Sequence, residues 1–137
     1  MVSDVTPYLV DANVYLGLAN KEDSLHVQAT ASLNELQNQG SAFILFDHVI
    51  QEILTVLLYS SQYALVESFM NAVRGDANIV IVDTPIGWLD NAITLAASRR
   101  FKPKLSCIDW LLLSRSIATG VPILTFDKQL LAASKKL

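Results

Sequence analysis

Four short apolar runs in the chain are each followed at once by an aspartate. Asp11 follows Tyr8-Leu9-Val10, Asp47 follows Ala42-Phe43-Ile44-Leu45-Phe46, Asp83 follows Ile79-Val80-Ile81-Val82, and Asp127 follows Pro122-Ile123-Leu124-Thr125-Phe126. Two more acids stand near such positions: Glu52, about one turn into the segment after Asp47, and Asp109, at the start of the segment that leads into the last run. If the runs are strands of one open sheet, these carboxylates gather outside its carboxyl edge, where such sheets place their ligands. Like charges crowded into one crevice are unfavourable unless protons or cations neutralise them. An all-oxygen set suits the hard ions Mg²⁺ and Mn²⁺, which bind through a few carboxylates, retained waters and substrate phosphates.

Each aspartate also has a plainer explanation. Asp11 with Asn13, Asp47, Asp83 before Thr84-Pro85, and Asp127 all suit turns or helix N-caps, and Ser106-Cys107-Ile108-Asp109 has the spacing of a capping box. Taken singly, every one of them reads as a cap. Glu52 resists that explanation, because it lies beyond the first residues of its helix and its neighbours Val49, Ile50, Ile53, Leu54, Val56, Leu57 and Leu58 are apolar. Glu52, Thr55 and Tyr59 share one face of that helix, so a carboxylate is carried toward something polar.

The elements that position these acids follow from periodicity. Near-continuous apolar runs suit strands covered on both faces, as in a parallel sheet between helices. Between them lie helical patterns: His26–Asn38 with Ala29, Leu33 and Leu36 inward; Leu65, Val66, Phe69, Met70 and Val73, closed by Gly75; Ile86, Leu89, Ile93, Ala96 and Ala97; and Cys107–Thr119, stopped by Gly120 and Pro122. Alternating strands and helices predict an α/β fold, a three-layer α/β/α sandwich with a parallel sheet of four to five strands. No repeat, low-complexity tract or linker divides residues 1–137, which read as one domain.

Composition narrows the function classes. The chain has 137 residues, 52% of them apolar and 17% charged, ample for a core. Its single Cys107 leaves no intrachain disulfide and no thiolate zinc site. No apolar run is long enough to span a bilayer and the first residues lack a signal-type pattern, so the expectation is a cytoplasmic protein. A net charge of −3 gives no bulk attraction for nucleic acid, yet Arg99, Arg100, Lys102 and Lys104 form a local basic stretch. That stretch reads equally well as a solvated helix end and loop. His26 and His48 read as structural, and Tyr15, Trp88 and Trp110 as core residues before stacking platforms.

The runs Tyr8-Leu9-Val10-Asp11-Ala12-Asn13-Val14, Glu52-Ile53-Leu54, Leu105-Ser106-Cys107-Ile108-Asp109 and Ile123-Leu124-Thr125-Phe126-Asp127-Lys128 resemble the PIN-domain nucleases in order, spacing and context. The resemblance covers nearly the whole chain, and in size it looks like the VapC-type toxins of toxin–antitoxin pairs. It implies that Asp11, Glu52, Asp109 and Asp127 form the acidic catalytic and metal site, with Asn13 and Thr125 in support. Asp47 and Asp83 match no acidic motif position and stay caps. Ala12 stands where the family commonly has Ser or Thr, and the chain ends where many members add a last edge strand.

The resemblance thus implies an endoribonuclease using Mg²⁺ or Mn²⁺ to hydrolyse RNA phosphodiesters, partnered by a small antitoxin that docks on a hydrophobic groove. Lys128 and the stretch containing Arg99, Arg100, Lys102 and Lys104 are candidate RNA contacts, with Arg115 a weaker one. The apolar surface of residues 14–18 and 49–58 predicts a homodimer. The alternative is a non-catalytic PIN fold kept for binding or assembly. A receiver or phosphatase is disfavoured, since neither an adjacent acidic pair nor D-x-D follows the first run.

Overall fold

The computed structural model describes residues 6–98 and 103–136. In chain order the elements are β1 (Pro7–Val10), α1 (Ala12–Ala19), α2 (His26–Asn38), β2 (Ala42–Phe46), α3 (Asp47–Tyr59), α4 (Tyr63–Gly75), β3 (Ile79–Val82), α5 (Ile86–Ser98), α6 (Cys107–Thr119), β4 (Ile123–Leu124) and α7 (Lys128–Lys136). The strands form one parallel sheet in the order β3-β2-β1-β4, so the expected α/β architecture is present with four strands.

Side-chain alternation assigns the two faces. Phe43 and Ile79 look toward α1, α2 and α4, whereas Leu9, Ile44, Phe46 and Val82 look toward α5 and α6. Both faces are therefore covered, which is why the strand sequences run apolar without polar alternation. The edge strand β3 is the exception, with Val80 and Ile81 partly exposed. Helix α3 buries Val49, Ile50, Ile53 and Leu57. Each such side chain contributes about 1.5–3 kcal/mol, so the helix that carries Glu52 is firmly seated. Helices α1 and α2 touch at Gly17, where a Cβ would stand 3.1 Å from the Cβ of Ala29. Gly120 ends α6 in the left-handed conformation, φ 74°, which glycine adopts without steric cost.

Two expectations about elements need correction. Only Ile123 and Leu124 of the run 122–126 pair as a strand, against Leu9 and Val10. Beyond them the Phe126 amide donates to the Asn13 side chain instead of to a ladder carbonyl. In α5 the inward face is Trp88, Ala92 and Leu95, not Ile86 and Ile93, which are 74% and 55% exposed. A short apolar helix offers two helical stripes, and Trp88 wins because its ring packs on Phe46, 5.7 Å between centroids.

Candidate active site

The strand order places a topological switch between β1 and β4. From β1 the chain proceeds outward to β2 and β3, then crosses back to lay β4 on the other side of β1. Connections diverge there and leave a crevice at the carboxyl ends of the two strands. Asp11 is the first residue beyond β1, and Thr125 and Asp127 follow β4. The two segments are joined by side chains. The Thr125 hydroxyl donates to Asp11 Oδ2 at 2.7 Å and accepts from Asn13 Nδ2 at 3.2 Å and from the Asp127 amide at 3.0 Å. Asn13 Oδ1 in turn accepts from the Phe126 amide at 3.2 Å. Asp11 and Thr125 are 6% and 5% exposed, so this network lies in the interior, where each bond counts most.

The other acids arrive from helix starts. Asp109 sits in the first turn of α6, and Asp127 precedes α7, where its Oδ1 accepts from the amides of Gln129 and Leu130. Ser106 and Asp109 form the capping box expected from their spacing: Asp109 N donates to Ser106 Oγ and Ser106 N donates to Asp109 Oδ2, both at 3.1 Å. Asp11 caps α1 through Oδ1, which accepts from the Ala12 amide at 2.8 Å. The cap and site explanations are therefore compatible, because a carboxylate bound through one oxygen to a helix start keeps lone pairs on both oxygens. Glu52, half-buried in the second turn of α3, has no such duty.

Electrostatics tie the four acids together. Burial pushes the Asp11 carboxyl above its ordinary range, the Thr125 and Ala12 hydrogen bonds pull it back, and the charges of Asp109 and Asp127 push it up again. Glu52 is raised by burial and then by Asp11 and Asp109. Asp109 is raised by burial and by Asp127, against the pull of its Ser106 bonds. No cationic side chain among the described residues counters these three. They form a partly desolvated set of like charges with no counterion among the described residues, the condition that a divalent cation relieves. The donor set is all oxygen, as Mg²⁺ and Mn²⁺ require. Among the described residues no three His, Cys, Asp or Glu side chains stand close enough to hold an ion.

Other expected residues are placed as follows. Lys128 and Lys104 are exposed, beside Asp127 and ahead of Ser106 respectively, while Arg99, Arg100 and Lys102 lie outside the described residues. Arg115 is committed elsewhere, its guanidinium 3.8 Å from the centre of the Trp88 ring. Trp110 is buried, and Tyr15 is buried edge-on to Phe69, as core residues. His26 is structural, its Nδ1 2.8 Å from the Gly17 carbonyl. Asp47 is not an N-cap but the first residue of α3. Its Oδ1 accepts from the His48 amide at 2.9 Å and from the Thr84 hydroxyl at 2.6 Å, latching the β2–α3 junction to the β3–α5 junction. That partnership spans 37 residues and has no local sequence signal.

Comparison with known proteins gives three results. By sequence, no curated protein matches. By structure, the chain is similar to VapC20 of Mycobacterium tuberculosis, a toxin that cleaves the sarcin–ricin loop, with a TM-score of 0.76 and 18% identity over 92% of this chain and 94% of that one. The family model of the PIN domain matches residues 8–136, a span that takes in β1, the capped acids and α7 alike. The chain belongs to the PIN domain family.

Proposed function

We propose that this PIN domain is an endoribonuclease that hydrolyses RNA phosphodiesters with Mg²⁺ or Mn²⁺ and acts as the toxin of a toxin–antitoxin pair. The observation that carries the reading is the bond between Thr125 and Asp11 across the β1/β4 switch, supported by the mutual charge effects among Asp11, Glu52, Asp109 and Asp127. Those four carboxylates would hold the ion. Bound there, a divalent ion supplies Lewis acidity toward a water and a phosphate oxygen.

The chain's own residues do the positioning. Thr125 orients Asp11 and favours its charged form against the effect of burial, and Asn13 holds Thr125 and the Phe126 amide. Lys128, next to Asp127 in sequence, and Lys104, two residues before Ser106, are exposed and would offer positive charge to the RNA backbone, with Arg99, Arg100 and Lys102 as further candidates on the same stretch of sequence as Lys104. No histidine is needed as base. An apolar cavity of about 330 Å³ between α1, α2 and α4, lined by Tyr15, Leu18, Leu33, Phe43, Phe69 and Val73, supports an antitoxin groove, and the Tyr15 hydroxyl there is buried without a hydrogen-bond partner. Exposed Val56, Leu58 and Tyr59 support a homodimer interface on α3; light scattering that finds only monomer at high concentration would contradict it. No helix among the described residues is long and apolar enough to cross a membrane.

The test is RNA cleavage by the purified protein with Mg²⁺ or Mn²⁺, compared with Asp11→Asn and Asp109→Asn. Loss of cleavage in both variants is expected, and equal activity in all three proteins refutes the assignment. Calorimetric titration separates the alternative, because a PIN fold kept only for binding would take up no Mn²⁺ at millimolar metal.

A further inference from the structure

We infer that Ser106 is a positioning residue for Asp109, fixing the first turn of α6 and the Asp109 carboxylate in the place from which it would reach the metal. The inference rests on the nuclease reading. Ser106 and Asp109 are joined by two bonds that close a ring: main chain of one to side chain of the other, in both directions, each 3.1 Å. Asp109 Oδ2 accepts from the Ser106 amide, which fixes the carboxylate while lone pairs on both oxygens stay open to an ion. Without the Ser106 hydroxyl the Asp109 amide loses its acceptor, the first turn of α6 loosens, and the carboxylate gains freedom that an incoming ion must remove.

The rest of α6 does not depend on the box. Trp110, Leu111, Leu112 and Leu113 are buried directly after Asp109, and the Trp110 amide already donates to the Ser106 carbonyl at 3.0 Å. The helix is thus anchored by its core face, and the box adds local order where Asp109 stands. Partners one shell outside a metal site typically alter metal affinity 10- to 100-fold when removed. The exposed setting of this box puts the expected effect at the lower end.

The experiment is Mn²⁺ titration by calorimetry of the whole chain, alongside thermal melting, for the wild type, Ser106→Ala, Ser106→Gly and Ser106→Thr. Glycine is a tolerated N-cap that costs the helix only a few tenths of a kcal/mol, so Ser106→Gly keeps the fold while deleting the hydroxyl. About tenfold weaker Mn²⁺ binding in the alanine and glycine variants, with threonine within twofold of wild type, is expected. Wild-type affinity in both deletion variants, whatever happens to their melting points, overturns the inference and leaves Ser106 a helix cap. Absence of Mn²⁺ binding by the wild type overturns the nuclease reading itself, and this inference with it.

Discussion

Thr125→Val tests the interior of the site with an almost isosteric change. The hydroxyl it removes makes three hydrogen bonds, one of them to a buried carboxylate. Loss of the bond to Asp11 costs about 1.5–3 kcal/mol as a bond to a charged group, and the Asn13 and Asp127 donors lose roughly 1 kcal/mol each. The added methyl recovers about 0.8 kcal/mol. The net expectation is about 3–4 kcal/mol of destabilisation, or a fall in Tm of roughly 9–16 °C at this chain length. Thr125→Ser keeps all three bonds and loses one buried methyl, about 1 kcal/mol. Metal binding moves in the same direction. Because the Thr125 bond pulls the Asp11 carboxyl down, its removal leaves Asp11 still higher, and protons compete with Mn²⁺ to a higher pH. Melting and Mn²⁺ titration from pH 5 to 8 should therefore show Thr125→Val both less stable and at least about tenfold weaker in Mn²⁺ binding. Equal behaviour of the valine and serine variants in both assays would refute the reasoning.

Glu52→Gln removes a charge that burial, Asp11 and Asp109 all disfavour. It should raise the stability of the metal-free protein at pH 7, by no more than about 1 kcal/mol because solvent still screens the group, and abolish that advantage under saturating Mn²⁺; a variant less stable than wild type without metal contradicts the charge argument. The pH dependence has a definite sign. Asp11, Glu52 and Asp109 are raised, so the folded state binds more protons than the unfolded one, and their contribution is lost as pH rises above the ordinary values of 3.8 and 4.5. The stability gap between Glu52→Gln and wild type should accordingly widen with pH from about 4.5 upward, and a gap that narrows, read by denaturant titration, would reverse the sign. Gly17→Val places a side chain where Ala29 and Leu25 already lie at 3.1 and 3.3 Å; overpacking of this kind costs about 1–3 kcal/mol, and a melting point unchanged from wild type would show that α2 can give way.

What the sequence displays well are features with local causes. The limits of α2 and α6, the stop at Gly120, the Ser106–Asp109 box and the four strand positions all follow from periodicity and capping chemistry within a few residues. The placing of Asp11, Thr125 and Asp127 at one sheet edge was legible from the strand pattern, since every strand end in a parallel sheet points the same way. Less legible were choices that only tertiary contact decides. The inward stripe of α5 depends on Trp88 finding Phe46, and the short β4 on the Phe126 amide taking the Asn13 side chain instead of a ladder carbonyl. The Asp47–Thr84 latch repeats the Asp11–Thr125 arrangement on the other half of the sheet, an aspartate after one strand taking the hydroxyl after its neighbour. Neither pairing can be deduced from spacing. Asp11, Asp109 and Asp127 each bond at a helix start and keep lone pairs that the proposed site would use, so a cap role does not exclude a site role.

The most direct test of the central claim is a crystal structure with Mn²⁺, read by anomalous scattering at the β1/β4 crevice. The account predicts a peak bounded by Asp11, Glu52, Asp109 and Asp127, with carboxylate oxygens at roughly 2.0–2.3 Å and Thr125 still bonded to Asp11. A crystal that takes up Mn²⁺ elsewhere and leaves these four acids without a shared ion would contradict it.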